Sequence, residues 1–243
     1  EKIALGFGGT TGEKRGDIIY HHVDQETGYY GKIWLGELEG EPSPTLIALQ
    51  LIFEDAGFET EILPKMDAWL KTHAAIVLPV AFGFYLCDGS NYRLAKTRDA
   101  ILMTFRGIKE GLKVLRRRKI PILPKKYRIF PLIPEPIAVA YLEKFFSTDF
   151  ARIGLAVHAN NAKDEMAFLA KEFKAMIAKS GVDTPNLNQL YAVTEQEQQN
   201  QLVLPEGSQK KRLDWKPIWI LAGILTGIIG ALGYILSQRK RKQ

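Results

Sequence analysis

Apolar positions change period along the chain. Before residue 64 they alternate in short runs, 3–7, 17–23, 32–38 and 58–63, that are rich in β-branched and aromatic residues and end at glycine-rich turns, which predicts strands. One helical stretch interrupts them at 44–56, where Leu46, Leu49, Ile52 and Phe53 recur on one face and Gly57 marks the stop. From 64 onward the period is that of helices. Residues 66–85 are apolar nearly throughout, and 92–118 keeps Ile101, Phe105, Ile108 and Leu112 in step. After an irregular connection rich in proline (Pro121, Pro124, Pro131, Pro134, Pro136) come helices at 136–146 and 150–179, a cap at Gly181 and a short turn at 188–193. The polar stretch 194–208 predicts a flexible tether.

The last apolar run is of another kind. Residues 218–236 carry no charge, and a helix of that length reaches roughly 28 Å, about the thickness of a bilayer's hydrocarbon core. Trp215, Trp219 and Tyr234 stand near its ends, where amphipathic rings prefer the interface, and basic clusters fence both sides: Lys210, Lys211, Arg212 and Lys216 before it, Arg239, Lys240, Arg241 and Lys242 after it. The expectation is a linker over 194–213, a single transmembrane helix over 214–237 and a basic tail over 238–243. The two flanks are similarly basic, so charge does not set the orientation. Gly223, Gly227 and Gly230 recur at i, i+4 and i+7, with Thr226 and Ala231 beside them. Such a small-residue strip predicts close packing of two copies, a homodimer through the membrane helix.

These flanks also account for the net charge of +6, because from residue 209 on eight basic residues face Asp214 alone. The basic balance is thus a membrane signature, and no nucleic-acid partner is expected. The cations between Lys113 and Arg128 lack interleaved aromatics for base stacking and read as a solvated helix end. Cys87 is the one cysteine, which excludes an internal disulfide and suits a reducing compartment. With His21, His22, His73 and His158 as the histidines, no Cys/His metal spacing exists and no metal is expected.

Gly6, Gly8, Gly9 and Gly12 follow a strand-like run, but a dinucleotide fingerprint needs glycine where Thr11 stands, and Gly12 is followed by Glu13 and Lys14 rather than by a phosphate-loop Lys-Ser/Thr. The glycines read as a turn. The chain opens at Glu1 directly in a strand-like run, as expected of a sequence that starts inside a larger α/β domain.

Two further patterns stand apart. Asp67-Ala-Trp69-Leu-Lys71-Thr-His73-Ala-Ala75 opens the first long helix. His158-Ala-Asn160-Asn161-Ala-Lys-Asp164-Glu165-Met166 lies in the last, followed by Gly181-Val-Asp-Thr-Pro185. A strand-rich stretch, a helix with Trp-x-Lys, then a helical domain ending in a glutamate helix and Gly-x-x-x-Pro resembles the ketopantoate reductase family over about residues 1–195. The resemblance implies an α/β edge of a Rossmann-like domain at 1–63, followed by an all-α helical domain at 64–193. It implies NADPH-dependent reduction of a 2-oxo acid or related ketone, with Lys71 as the catalytic lysine and Glu165 as the substrate-binding glutamate. NADPH would be held mainly by an N-terminal half outside this sequence, and the large domain would lie in the cytoplasm, where that cofactor is. An ammonium beside a carbonyl oxygen stabilises the charge that grows there during reduction and donates the proton. The chain departs from the family at Ala75, where asparagine is usual four residues after the lysine, and at 151–155, where a serine is expected. The rival reading is a non-catalytic, membrane-tethered binding or scaffold module derived from the same fold. In that case Lys71 snorkels from an amphipathic helix and Glu165 belongs to a solvated face.

Overall fold

The structure, a computed structural model, describes residues 4–9, 11–22, 31–38, 40–193, 203–220, 222–224 and 226. Its N-terminal part is a three-stranded sheet ordered β1-β4-β5. β1 (Ala4–Gly8) runs antiparallel to β4 (Lys32–Glu37), with Phe7 opposite Trp34. β5 (Glu59–Ile62) runs parallel to β4, as the crossover helix α1 (Pro44–Asp55) requires. Ser43 caps α1 by accepting from the Leu46 N–H at 3.2 Å, and Pro44 occupies the first turn, where no N–H is needed. The expected face of α1 is only partly right: Leu46 is buried, but Ile52 is 65 % exposed, because the sheet covers one narrow side of the helix. The strand expected at 17–23 is present as β3 (Ile18–His22), and it pairs with a strand the pattern did not announce, β2 (Thr11–Arg15), in a hairpin that turns at Gly16 in the left-handed region.

The remaining elements are helical. α2 (Met66–Tyr85) docks on the sheet where Gly36 of β4 meets Met66; a Cβ at Gly36 would stand 2.5 Å from the Met66 Cβ and 2.7 Å from the Leu63 carbonyl. α3 (Asn91–Lys96) and α4 (Arg98–Arg117) are two helices where one was expected, broken at Thr97. Ile101, Phe105, Ile108 and Leu112 of α4 are all buried, as their spacing predicted. α2 and α4 cross closely because small residues meet there: Gly83 lies on Thr104, and Gly111 on Ala75. α5 (Glu135–Phe146) follows a 3-10 helix, Lys125–Leu132, in the proline-rich connection. The expected helix at 150–179 is interrupted. α6 (Asp149–Ala151) leads into a π-helical turn, Arg152–Val157, then α7 (His158–Asn161), and α8 (Lys163–Ser180) ends at Gly181 in the left-handed conformation. α9 (Pro185–Tyr191) is held by Glu110 of α4, whose carboxylate accepts from the N–H groups of Asn186 and Leu187 at 2.9–3.2 Å.

Two expectations change at the C-terminal end. Residues 203–213 are no flexible tether but a strap laid over the helices; 194–202 lie outside the described residues. Leu204 donates its N–H to the Leu86 carbonyl at 2.8 Å, and Leu204 and Leu213 pack against the core. The composition of the strap is polar, yet its backbone N–H groups find buried carboxylates. The fold as described also gives no support to a transmembrane helix: among the described residues no helix is long and apolar enough to cross a membrane. Most of the expected span, including Gly227 and Gly230 of the small-residue strip, lies outside the described residues.

Candidate active site

Four rings gather where β1 and β4 meet the first turns of α2. Phe7 and Trp34 face each other across the strand pair, and Trp69 and His73 stand one turn apart on α2. The Phe7 ring lies 5.0 Å from Trp69 and 4.5 Å from His73 between centroids, and Trp69 stacks on His73 at 5.3 Å with 6° between planes. Burial, with the neighbouring His158 adding to it, pushes the His73 imidazole down to about 4, so it is neutral at physiological pH.

Lys71 sits between Trp69 and His73 in sequence but not in space. Two residues turn an α-helix by roughly 200°, so the Lys71 side chain leaves α2 on the far side from the rings. It is half-buried, and its Nζ donates to the Asp67 carboxylate at 2.5 Å, one turn earlier. Asp67 was quoted in the sequence pattern without a role; the i, i+4 spacing of acid and base was the signal that would have found it. Glu165 lies exposed in the first turn of α8. The structure does not join it to Lys71: α8 reaches α2 on the His73 side, where Met166 and His158 meet Val77, Val80 and Ala81 around a void of about 10 Å³. Tyr85 Oη donating to the Ala159 carbonyl at 2.6 Å, and Asn160 Nδ2 to the Gly89 carbonyl at 2.9 Å, tie α7 to the end of α2. The stretch 151–155, where the family resemblance expects a serine, falls in the α6–π-turn junction. Such turns are over-represented at functional sites.

The described residues do not form a dinucleotide cradle. β1 leads into the β2–β3 hairpin and not into a helix, so no helix N-terminus faces a pyrophosphate there. Gly9 serves strand packing instead: its N–H donates to the Lys32 carbonyl at 2.8 Å, and a Cβ there would stand 2.7 Å from that oxygen. A groove of about 300 Å³ does open between the sheet and α1, but its walls, among them Leu5, Phe7, Ile33, Leu49 and Phe53, are apolar and suit no phosphate. Among the described residues no group of His, Cys, Asp or Glu is placed to hold a metal. Cys87 is buried, and its thiol is pushed up to about 11 by that burial, which disqualifies it as a nucleophile.

Sequence reasoning also missed a second set of charged residues. Asp99 and Glu135 are buried, and both turn their oxygens to the strap. Asp99 accepts from Ser208 Oγ at 2.6 Å and from the N–H groups of Lys210 and Lys211 at 2.8 Å. Glu135 accepts from both Arg106 Nε and Nη2 at 2.8 Å and from the Asp214 N–H at 2.8 Å. Burial disfavours both charges, but the hydrogen bonds outweigh it and hold both carboxyls below the usual range. No spacing in the sequence announces strap partners 79 to 112 residues away from these carboxylates.

No protein-family model matches the sequence, and no curated protein does. Solved structures do match the fold. A dimeric ketopantoate reductase from Staphylococcus aureus superposes with a TM-score of 0.57 at 12 % identity, covering 81 % of this chain and 62 % of its own. D-mandelate dehydrogenase in complex with NADH gives 0.58 at 16 %, covering 82 % and 63 %, and 2-dehydropantoate 2-reductase from Geobacter metallireducens GS-15 gives 0.57 at 12 %, covering 79 % and 60 %. The chain thus spans somewhat under two thirds of the length of these oxidoreductases. Its sheet with a following helical domain is the fold they share, a Rossmann-like edge joined to a helical domain.

Proposed function

We propose that this chain is the helical, substrate-binding part of a nicotinamide-dependent reductase of a 2-oxo acid or related ketone. NADPH is the expected cofactor, and its dinucleotide-binding portion would lie outside these 243 residues. The observation that carries this reading is the fold shared with ketopantoate reductases and D-mandelate dehydrogenase over most of the chain. Within it Lys71 is the group suited to a carbonyl oxygen. The Asp67 carboxylate pairs with its ammonium one turn earlier on α2, and an ammonium beside a carbonyl oxygen stabilises growing negative charge and hands over a proton. Glu165, exposed at the start of α8, is available to accept from a substrate hydroxyl.

The same reading places the chain at a membrane through residues 214–237, with the large domain on the cytoplasmic side and two copies paired through Gly223, Gly227 and Gly230. In support, residues 216–220 and 222–224 are helical, with Trp219, Ile220 and Ile224 exposed. The scaffold reading has one observation in its favour, the separation of Lys71 from Glu165. The deciding experiment uses the protein joined to its dinucleotide-binding portion. Lys71→Ala is expected to lower turnover of 2-oxo acids by ~10²–10⁴-fold with cofactor affinity unchanged. Unaltered turnover removes Lys71 from the mechanism, and a parent inactive on every 2-oxo acid and ketone tried favours the scaffold.

A further inference from the structure

A groove that the reductase reading does not use runs between the strap and the start of α4. Arg98, Lys210, Lys211 and Arg212 line it together with Leu213 and Trp215, around a volume of about 300 Å³. Among the described residues four cations share this groove, and no carboxylate belongs to its lining. The acids nearby are engaged elsewhere. Asp99 lies buried against the N–H groups of Lys210 and Lys211, Glu206 pairs with Lys96 at 3.2 Å, and Asp214 accepts from the Lys216 N–H at 3.0 Å. The strap carbonyls that would repel an anion are occupied as well. Gln209 and Lys211 accept from Arg98 Nη2, and Arg212 accepts from Arg106 Nη2 at 2.9 Å. The Arg98 Nε–H is buried with no acceptor among the described residues. Because Asp99 and Glu135 fix the strap, these cations are held side by side rather than spread along a tether, and an anion relieves their repulsion.

We propose that this groove seats the phosphate of an anionic lipid headgroup, bound by Arg98, Lys210, Lys211 and Arg212 directly ahead of the membrane helix. The proposal rests on the membrane reading above. Position argues for a lipid over a soluble phosphate. Trp215 forms part of the groove, the helix begins at the next residue, and Trp219, Ile220 and Ile224 are exposed along it. Tryptophans at the mouth of an apolar helix settle at headgroup depth, and basic residues beside them meet the anionic surface.

The test reconstitutes the full chain in phosphatidylcholine vesicles containing either brominated phosphatidylcholine or brominated phosphatidylglycerol, and reads lipid selectivity from tryptophan quenching. The parent is expected to select phosphatidylglycerol, and each neutralised cation in Lys210→Gln, Lys211→Gln and Arg212→Gln to lower that selectivity about fivefold. Among the described residues these three side chains make no hydrogen bond of their own, since the strap is held through main-chain atoms, so the substitutions leave its anchoring in place. A parent that fails to float with neutral vesicles in high salt removes the membrane reading and the proposal with it. Salt-resistant flotation without phosphatidylglycerol preference, or with a preference that survives Lys210→Gln, Lys211→Gln and Arg212→Gln combined in one chain, overturns the groove alone. Loss of the preference on adding inorganic phosphate reassigns the groove to a soluble anion and equally overturns the lipid.

Discussion

Asp99→Asn isolates what holds the strap. The side chain keeps its size, loses its charge, and exchanges one acceptor oxygen for a group that can only donate. Two backbone N–H groups and the Ser208 hydroxyl depend on those oxygens at 2.6–2.8 Å. Hydrogen bonds to a charged group contribute about 1.5–3 kcal/mol and neutral ones about 0.5–1.5, so losing one outright and weakening the others costs the strap about 2–4 kcal/mol. The contacts at Leu86 and Glu135 remain, so the helices stay folded while the strap opens. Trypsin cleaves after Lys210 and Lys211, residues whose N–H groups are pinned in the closed strap. With tenfold per 1.4 kcal/mol, cleavage there should accelerate by roughly 30- to 1000-fold under conditions where opening is fast. Glu206→Gln, which removes only a surface pair, should change cleavage little. The pH dependence follows from the depressed Asp99 carboxyl. A folded-state pKa below the unfolded value of about 3.9 stabilises above that value, and the contribution is lost as pH falls through the folded one. Strap protection should therefore be flat from neutral pH to about 5 and decline only below about 4. Equal cleavage of parent and Asp99→Asn, or protection already lost near pH 6, would refute the assignment of Asp99 as the anchor.

Three further outcomes are expected. His73, with its imidazole pushed down to about 4 by burial, takes up its proton only on unfolding between about pH 4 and its unfolded value of about 6.5. Unfolding free energy should thus fall with decreasing pH in that window, and His73→Phe should remove up to ~1.4 kcal/mol per pH unit from the slope in denaturant titrations; an unchanged slope contradicts the buried neutral imidazole. Gly83→Val forces bulk against Thr104 where α2 crosses α4 and should cost about 1–3 kcal/mol in the same titrations, whereas a neutral result means the crossing relaxes freely. The 243-residue chain alone should show no micromolar NADPH binding by calorimetry, because β1 leads into a hairpin and not into a helix N-terminus; micromolar binding would refute this reading of the β1 turn.

The sequence by itself determined what local rules decide. The period-2 runs located β1, β3, β4 and β5, Gly57 and Gly181 marked helix ends, and the spacing of Ile101, Phe105, Ile108 and Leu112 named the buried face of α4. Trp-x-Lys and the glutamate helix pointed to the fold now seen in the solved oxidoreductases. Tertiary structure decided everything that depends on partners distant in sequence. Residues 203–213 have the composition of a loose tether, and only the buried carboxylates of Asp99 and Glu135, more than seventy residues away, supply acceptors that make them a fixed strap. Lys71 and Glu165 carry complementary charges, but helix geometry sends them to different sides of α2 and gives the lysine to Asp67 instead. A propensity or a period acts over a few residues, whereas desolvation and charge pairing act between surfaces that exist only once the chain has packed, so the strap, the ring cluster and the basic groove could not be read before it did.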